Sequence, residues 1–376
     1  MPGKKRPVAS GGSPIILVAV GDVSPDRDDP PSMFRFTRDV FQKADIAFGQ
    51  MEAPLSDRGT PQFVPSAPAR LHAKNIRAVA EEGAGFDVMS FAANHALDHG
   101  YEAFFDTIDA LTKNGIVCIG AGKDLAAARK PAIIERNGIK VGFLAYLSIL
   151  PVGFEADAET PGCNPLRAHH AYRQMNYQPG TPPLIVTGLI PQYRAAMEED
   201  IKKLRPQVDV LVVSIHAGVF GVEAMIAMYQ KEAAYAAIDC GADLVLQAHA
   251  HQLKGIEVCK GKVVFYGLGN FALEHGVGYP GRPKAKDPNF VEYDRRYPAH
   301  HPNSPKTLIV KAYIQDKKIQ KVTYLPAYIN STREPELVRR PDPRATEVFE
   351  FVKRSSEAED LRVSFSWEGD EVLISG

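Results

Sequence analysis

Six short runs of β-branched and aromatic residues, each closing on polar or ionisable side chains, constrain this chain more than any other feature. They are "PIILVAVGD" (14–22), "ADIAFGQMEAP" (44–54), "FDVMSFAANH" (86–95), "VDVLVVSIHAG" (208–218), "ADLVLQAHAH" (242–251) and "KVVFYGLGNF" (262–271). A short apolar run without polar alternation has both faces covered, as the central strands of a mostly parallel sheet do. Between the runs stand "AKNIRAVAEEG" (73–83), "YEAFFDTIDALTKNG" (101–115) and "MIAMYQKEAAYAAIDCG" (225–241). Each reads as a helix closing on glycine, a residue suited to the left-handed conformation that follows a helix end. Strand and helix alternate, so the expected class is α/β.

Some antiparallel sheet is expected as well. "NGIKVGFLAYLSI" (137–149) and "TLIVKAYIQDKKIQKVTYLPAYI" (307–329) read as alternating or hairpin-linked strands, the second turning at Asp316-Lys317-Lys318. The segments 151–183 and 275–305 show little periodicity and are expected as lid loops, because long loops in a compact protein are usually functional or disordered. Residues 336–376 predict one helix and a hairpin turning at "EGDE", packed on the same 14–335 domain, with 1–13 as a flexible basic segment. The apolar stretch after that segment is only the six residues "IILVAV", too short for an anchor or a signal sequence. Lysine plus arginine (44) nearly cancels aspartate plus glutamate (45), which removes any overall field for nucleic acid or an anionic membrane. Four dispersed cysteines form no C-x-x-C pair, which disfavours a disulfide framework and fits a reducing compartment. A soluble, cytoplasmic protein is expected, with neither nucleic acid nor membrane as partner.

Ligands of open α/β sheets bind outside the carboxyl ends of the strands. Here those ends hold Asp22, Glu52, Asn94-His95, His216 and the pair His249 and His251. Singly, each has an ordinary reading: Asp22 a turn residue after glycine, Glu52 a solvated loop charge, Asn94 a helix cap, His216 a core histidine bonded to a carbonyl. "HAH" at 249–251 is different, since alternate side chains of an extended segment share a face. Carboxylate, imidazole and amide groups gathered at five strand ends suit one or two borderline or hard divalent ions, manganese, iron or zinc.

The stretches "VAVGDV" (18–23), "GQMEAPL" (49–55), "GFDVMSFAANHALDHG" (85–100), "SIHAG" (214–218) and "GADLVLQAHAHQLKGIEVCKGKVVFYGLGNF" (241–271) resemble, in order, the CapA family of poly-γ-glutamate capsule biosynthesis proteins, within the calcineurin-like metallophosphatase superfamily. The resemblance implies a four-layer α/β/β/α sandwich with mixed sheets and a metal centre at one edge. It implies metal ligation by Asp22, Glu52 as the bridging carboxylate, Asn94, His216, His249 and His251, with His216 and His249 on the Asn94 side and His251 beside Asp22. His95 takes the place of the histidine that aids the transition state. The sequence also departs from the pattern. Ser24 stands where the superfamily has a first-motif histidine, Gln50-Met51-Glu52 replaces Asn-Leu-Glu, and "QAHAH" replaces Gly-His-His-Pro-His.

The expected chemistry is metal-assisted hydrolysis, with His95 stabilising the developing charge or protonating the leaving group, and Asp98, one helical turn on, orienting its ring or simply favoured by the helix dipole. The substrate would be a small molecule, or a γ-glutamyl or phosphorylated one, cleaved at a phosphoester or an amide. Cations for its anionic groups would come from the loops, among them Arg167, His169 and His170 in the first and Arg282, Lys284, Lys286, Arg295 and Arg296 in the second. Two alternatives stand beside this: a non-catalytic accessory of poly-γ-glutamate synthesis or export, and a binding protein that kept the fold without catalysis.

Overall fold

The computed structural model describes residues 14–62, 68–177, 180, 184–274 and 302–376. Two face-to-face sheets form its centre. The strands that matter are β1 (Ile15–Ser24), β2 (Ile46–Met51), β3 (Val88–Ser90), β4 (Val117–Ile119), β5 (Ala132–Arg136), β6 (Ile139–Leu147), β7 (Val210–Ala217) and β8 (Leu244–His249). They continue with β9 (Ile256–Cys259), β10 (Lys262–Phe265), β11 (Asn270–Leu273), β12 (Lys306–Gln315), β13 (Lys318–Ile329), β14 (Ser364–Glu368) and β15 (Glu371–Ser375). One sheet has the order β14-β15-β13-β12-β1-β2-β3-β4, with β11 also on β1; the other runs β9-β10-β8-β7-β6-β5. Parallel pairing joins β1 to β2, β2 to β3, β6 to β7 and β7 to β8, so these strands present their carboxyl ends together.

Alternation on β6 and β7 shows how the layers stack. Val141, Phe143, Val210 and Val212 point into the core between the sheets. Leu144, Tyr146, Leu211 and Val213 point the other way, against α3 (Pro191–Leu204) and α4 (Met228–Asp239), which contribute Met197, Ile201, Ala233 and Ala237. In the larger sheet Phe48 of β2 stacks on Phe143 across the inter-sheet core, with ring centroids 5.8 Å apart. The adjacent Gly49 faces outward, where Phe86 leaves no room for a Cβ, and Phe34 with Phe41 of α1 (Arg38–Lys43) completes that outer cluster. Four layers result, helices outside and two sheets within, in agreement with the α/β/β/α expectation.

The C-terminal part joins the same sheet. β15 pairs with β13, β14 pairs with β15, and α5 (Pro343–Glu357) buries Val348, Phe351 and Val352 in the inter-sheet core. The β12–β13 hairpin turns where expected, with Asp316 and Lys317 both at positive φ (51° and 62°), as a two-residue primed turn requires.

Several expectations need correction. The run 262–271 is two strands: β10 lies in the smaller sheet and β11 crosses to β1 in the larger one. Residues 73–83 hold only a 3-10 turn and the single helical turn Ile76–Val79. The segment 151–183 is no plain loop; Ala168–Arg173 pairs with Leu184–Leu189 in an exposed hairpin. That hairpin is seated on α4, for Tyr229 N–H donates to Thr187 and Leu189 N–H to Glu232. Residues 1–13 and 275–301, with Arg282, Lys284, Lys286, Arg295 and Arg296, lie outside the described residues. No helix among the described residues is long and apolar enough to cross a membrane.

Candidate metal centre

Each chemistry-bearing side chain stands at or just beyond a parallel strand end. Asp22 is on β1, Glu52 one residue past β2, Asn94 beyond β3, His216 on β7 and His249 at the end of β8. Neighbouring pairings fix their levels: His216 lies opposite Ala248, and Glu52 N–H donates to the Val23 carbonyl at 3.1 Å. His249 and His251 both hold positive φ (104° and 54°). Such conformations cost on the order of 1–3 kcal/mol each and persist where surrounding structure demands the side-chain position.

Two clusters meet at Glu52. On one side His216 Nε2 lies 2.7 Å from Asn94 Oδ1 and 3.2 Å from His249 Nδ1, and His249 Nδ1 is 3.0 Å from the same Asn94 oxygen. Glu52 Oε2 is 3.5 Å from His216 Nε2. Glu52, His216 and His249 thus place one ligand atom each within 4.8 Å of one another. On the other side His251 Nδ1 is 3.4 Å from Asp22 Oδ2, and its Nε2 is 3.7 Å from Glu52 Oε1. The two oxygens of Glu52 therefore face different histidines, as a bridging carboxylate would.

The electrostatics call for a cation. Both oxygens of Asp22 and both of Glu52 are buried without a hydrogen-bond partner. Buried carboxylates in that state carry their full desolvation cost. Burial pushes the Asp22 carboxyl up to about 8, and the nearby His249 N–H offsets only part of that rise. Glu52 rises well above the usual carboxylate range, by burial first and then by the charges of Asp22 and Asp98. Burial holds the His216 and His249 imidazoles well below their ordinary value, reinforced by neighbouring imidazoles, and takes His251 down to about 4. Neutral imidazoles cannot neutralise the carboxylates, whereas a divalent cation would satisfy both sets at once. The residues present fit such an ion.

His95 sits at the rim of this cluster, near enough for its charge to bear on all three ligand-type imidazoles. Its Nδ1 is 2.5 Å from Asp98 Oδ2, which also accepts the Ala69 N–H at 2.7 Å. The expected helical relation between them is absent. Residues 94–99 are turns, Asp98 N–H donates to the His95 carbonyl at 3.1 Å, and α2 (Gly100–Lys113) starts only after His99. Asn94 therefore caps no helix, and Asp98, fully buried, is no first-turn surface acid. The local turn brings the pair together instead.

Arg167 is not free for a substrate, since it is paired with Glu155, and His169 and His170 lie on the exposed hairpin. Two residues escaped sequence reasoning. Asn270 Oδ1 lies 2.7 Å from His251 Nδ1, and Phe220 sets its ring edge-on to His251 at 5.5 Å. The "GNF" of the last run held the signal for Asn270; nothing in the sequence singled out Phe220.

Residues 16–275 match the family described as "Bacterial capsule synthesis protein PGA_cap". The chain belongs to that family. This PGA_cap chain is 27% identical over 271 residues to the PGA biosynthesis protein CapA of Bacillus subtilis (strain 168), over 70% of its own length and 60% of that relative's. It is 28% identical over 268 residues to the capsule biosynthesis protein CapA of Bacillus anthracis, over 70% and 58%. A relative from Mycobacterium tuberculosis (strain CDC 1551 / Oshkosh), named "Probable polyglutamine synthesis accessory protein", is 28% identical over 62% of this chain and 57% of its own. The matches span less than two thirds of these relatives' own lengths. Among solved structures, a hypothetical protein from Thermus thermophilus aligns with a TM-score of 0.46 at 12% identity, covering 83% of this chain and 98% of that one. The calcineurin-like phosphoesterase YfkN from Bacillus subtilis aligns at 0.38 and 11%, covering 92% and 98%.

Proposed function

We propose that this PGA_cap protein is a metal-dependent hydrolase that cleaves a phosphoester or a γ-glutamyl amide of a small or oligomeric substrate. The observation that supports it is the set of buried, unpartnered carboxylate oxygens of Asp22 and Glu52, faced by imidazoles that burial keeps neutral. Asn94, His216 and His249 with one oxygen of Glu52 would hold one ion, and Asp22, His251 and the other Glu52 oxygen a second. The nitrogen-and-oxygen donor set suits manganese, iron or zinc. Bound ions of this kind lower the pKa of a water toward neutrality and polarise the scissile centre.

The chain's own residues supply the rest. With Nδ1–H held by Asp98, His95 presents Nε2 as the proton-bearing atom for the leaving oxygen or nitrogen. Asp98, anchored by the Ala69 N–H, keeps that ring from turning. Phe220, half-exposed against His251, supplies an apolar wall beside the reacting centre.

The test is metal content per chain, on protein prepared without chelator, for wild type, His216→Ala and Asp22→Ala. Phosphodiester, phosphomonoester and γ-glutamyl amide substrates are then screened with the metal found. Metal that falls in both variants, with turnover of one substrate class, supports the reading. A wild type that takes up no manganese, iron or zinc even on reconstitution overturns it. The names of the relatives favour a second reading, an accessory role in poly-γ-glutamate synthesis, in which metal binds but no substrate class is turned over.

A further inference from the structure

Asp22 lies in a sheet position from which the expected imidazole partner is missing, because residue 24 of the same strand is serine. The structure brings another polar side chain beside Asp22. β11 runs parallel to β1 with Asn270 opposite Asp22, and the Asp22 N–H donates to the Gly269 carbonyl at 3.0 Å. That approach depends on glycine: a Cβ on Gly21 would stand 2.0 Å from the Gly269 oxygen, and Gly269 itself holds φ +67°. The chain thus leaves the smaller sheet after β10 and crosses to β1 so that Asn270 arrives beside Asp22.

The two sides of the centre then share an amide-plus-imidazole pair, with His216 as a further donor on the Asn94 side. On the Glu52 Oε2 side stand the Asn94 amide oxygen and His249 Nδ1, 3.0 Å apart. On the Asp22 side His251 Nδ1 lies 3.4 Å from Asp22 Oδ2 and 2.7 Å from the Asn270 amide oxygen. Asn270 is only 9% exposed, and its side chain meets the histidine nitrogen nearest Asp22. We propose that Asn270 contributes its amide oxygen to a divalent cation on the Asp22 side, in place of the imidazole that Ser24 cannot supply. This rests on the metal-centre reading above.

Metal-stripped wild type, Asn270→Ala, Asn270→His and Asn94→Ala are titrated with Mn2+ by calorimetry, and with Co2+ by visible absorption. Wild type should take up two ions. Asn270→Ala should keep the first and bind the second more than about 100-fold weaker, beyond the loss typical of residues that only orient a ligand. Asn270→His should recover the second ion with a shifted Co2+ spectrum, because a nitrogen donor replaces an oxygen; this variant also carries the test if Asn270→Ala fails to fold. Two ions bound by Asn270→Ala with wild-type affinities and an unchanged Co2+ spectrum would overturn the assignment. So would a single ion in wild type that Asn270→Ala leaves intact and Asn94→Ala abolishes, while the hydrolase reading stands. Wild type that binds neither metal removes the underlying reading instead.

Discussion

Glu52 and Glu334 are both buried carboxylates, yet their surroundings are opposite. Glu334, with a side chain 3% exposed, accepts from Arg27 Nη1 at 2.9 Å, Arg35 Nη2 at 2.7 Å and Thr332 Oγ1 at 2.7 Å. Burial works against its charge, but these bonds outweigh it and hold the carboxyl below its ordinary value. Glu52, buried as deeply, has no hydrogen-bond partner and is driven the other way. At Glu334, where the buried charge is structural, the chain provides cations from its own side chains. At the strand ends it withholds one, and that omission distinguishes a site built for a ligand from an ion pair built for the fold.

The sharpest way to break this contrast is to remove ligands from one region and leave the other alone. Glu52→Ala, Asn94→Ala and His216→Ala should each lower kcat/KM by about 10³-fold or more, together with bound metal, because losing even an outer partner of a metal ligand costs roughly 10–100-fold. Steady-state kinetics on the substrate found by screening, paired with metal analysis, reads both. If these variants lose activity but keep full metal content, the cluster is not the ion's seat. Next in size is His95→Ala, expected to lower kcat by roughly 10²–10⁴-fold with metal content unchanged, as loss of a positioned proton donor does. Asp98→Asn should follow with a smaller loss. Metal leaving with His95→Ala would make that residue a ligand and not an acid.

Much of this site was legible in the sequence, because parallel strands put their last residues at one edge and the chemistry-bearing residues sit there. Asp22, Asn94, His216 and His249 needed only strand periodicity and the rule that ligands gather at carboxyl ends. His251 instead lies past its strand at positive φ and turns to the other oxygen of Glu52, not to the shared face that an extended His-Ala-His implied. Asn270 was hidden because "KVVFYGLGNF" reads as one unbroken apolar run, although Gly267-Leu268-Gly269 in its middle is the punctuation of a chain changing sheets. Asp98 was paired with His95 through a helix that does not exist there; the i to i+3 contact of a turn gives the same spacing. The hairpin at 168–189 left no trace, since its first strand is exposed along almost its whole length and is held by backbone pairing. Its second strand, Leu184–Leu189, is apolar but buries only Leu189.

The pH dependence of stability should separate the two regions with opposite signs. In metal-free protein the Asp22 carboxyl moves from 3.8 to about 8. Between those values the folded chain keeps a proton that the unfolded chain has released, so this group's contribution falls as pH rises through that window. The imidazoles of His216, His249 and His251 work the other way below their ordinary 6.5, where the unfolded chain binds protons that the folded one refuses. The carboxylate decline therefore stands alone only above about pH 7. Glu334 has the reverse sign to Asp22: its lowered value adds stability that is present above the ordinary carboxylate pKa and is lost as pH falls. Melting temperatures of chelator-treated protein should decline from about pH 7 to about pH 8, and excess Mn2+ should remove the decline by stabilising the ionised carboxylates. A metal-free curve that stays level or rises over this range would mean that Asp22 is already neutralised by the chain.

The smallest expected effect tests the other half of the contrast. Glu334→Gln keeps the shape of the side chain but removes the charge that Arg27 and Arg35 share. Arg27 retains Glu274, at 2.7 Å, so its guanidinium is not left alone. The loss should be about 1.5–3 kcal/mol, the range for hydrogen bonds to charged groups, and appear in the denaturation midpoint without a change in slope. Metal content and kcat/KM should stay at wild-type values, since among the described residues Arg27 and Arg35 pair with Glu274 and Glu334 and with no side chain of the metal centre. A destabilised Glu334→Gln with normal activity, beside an inactive Glu52→Gln that is more stable than wild type in chelator, would give the two carboxylates opposite roles: one retained for the fold, the other tolerated by it for the sake of the ion.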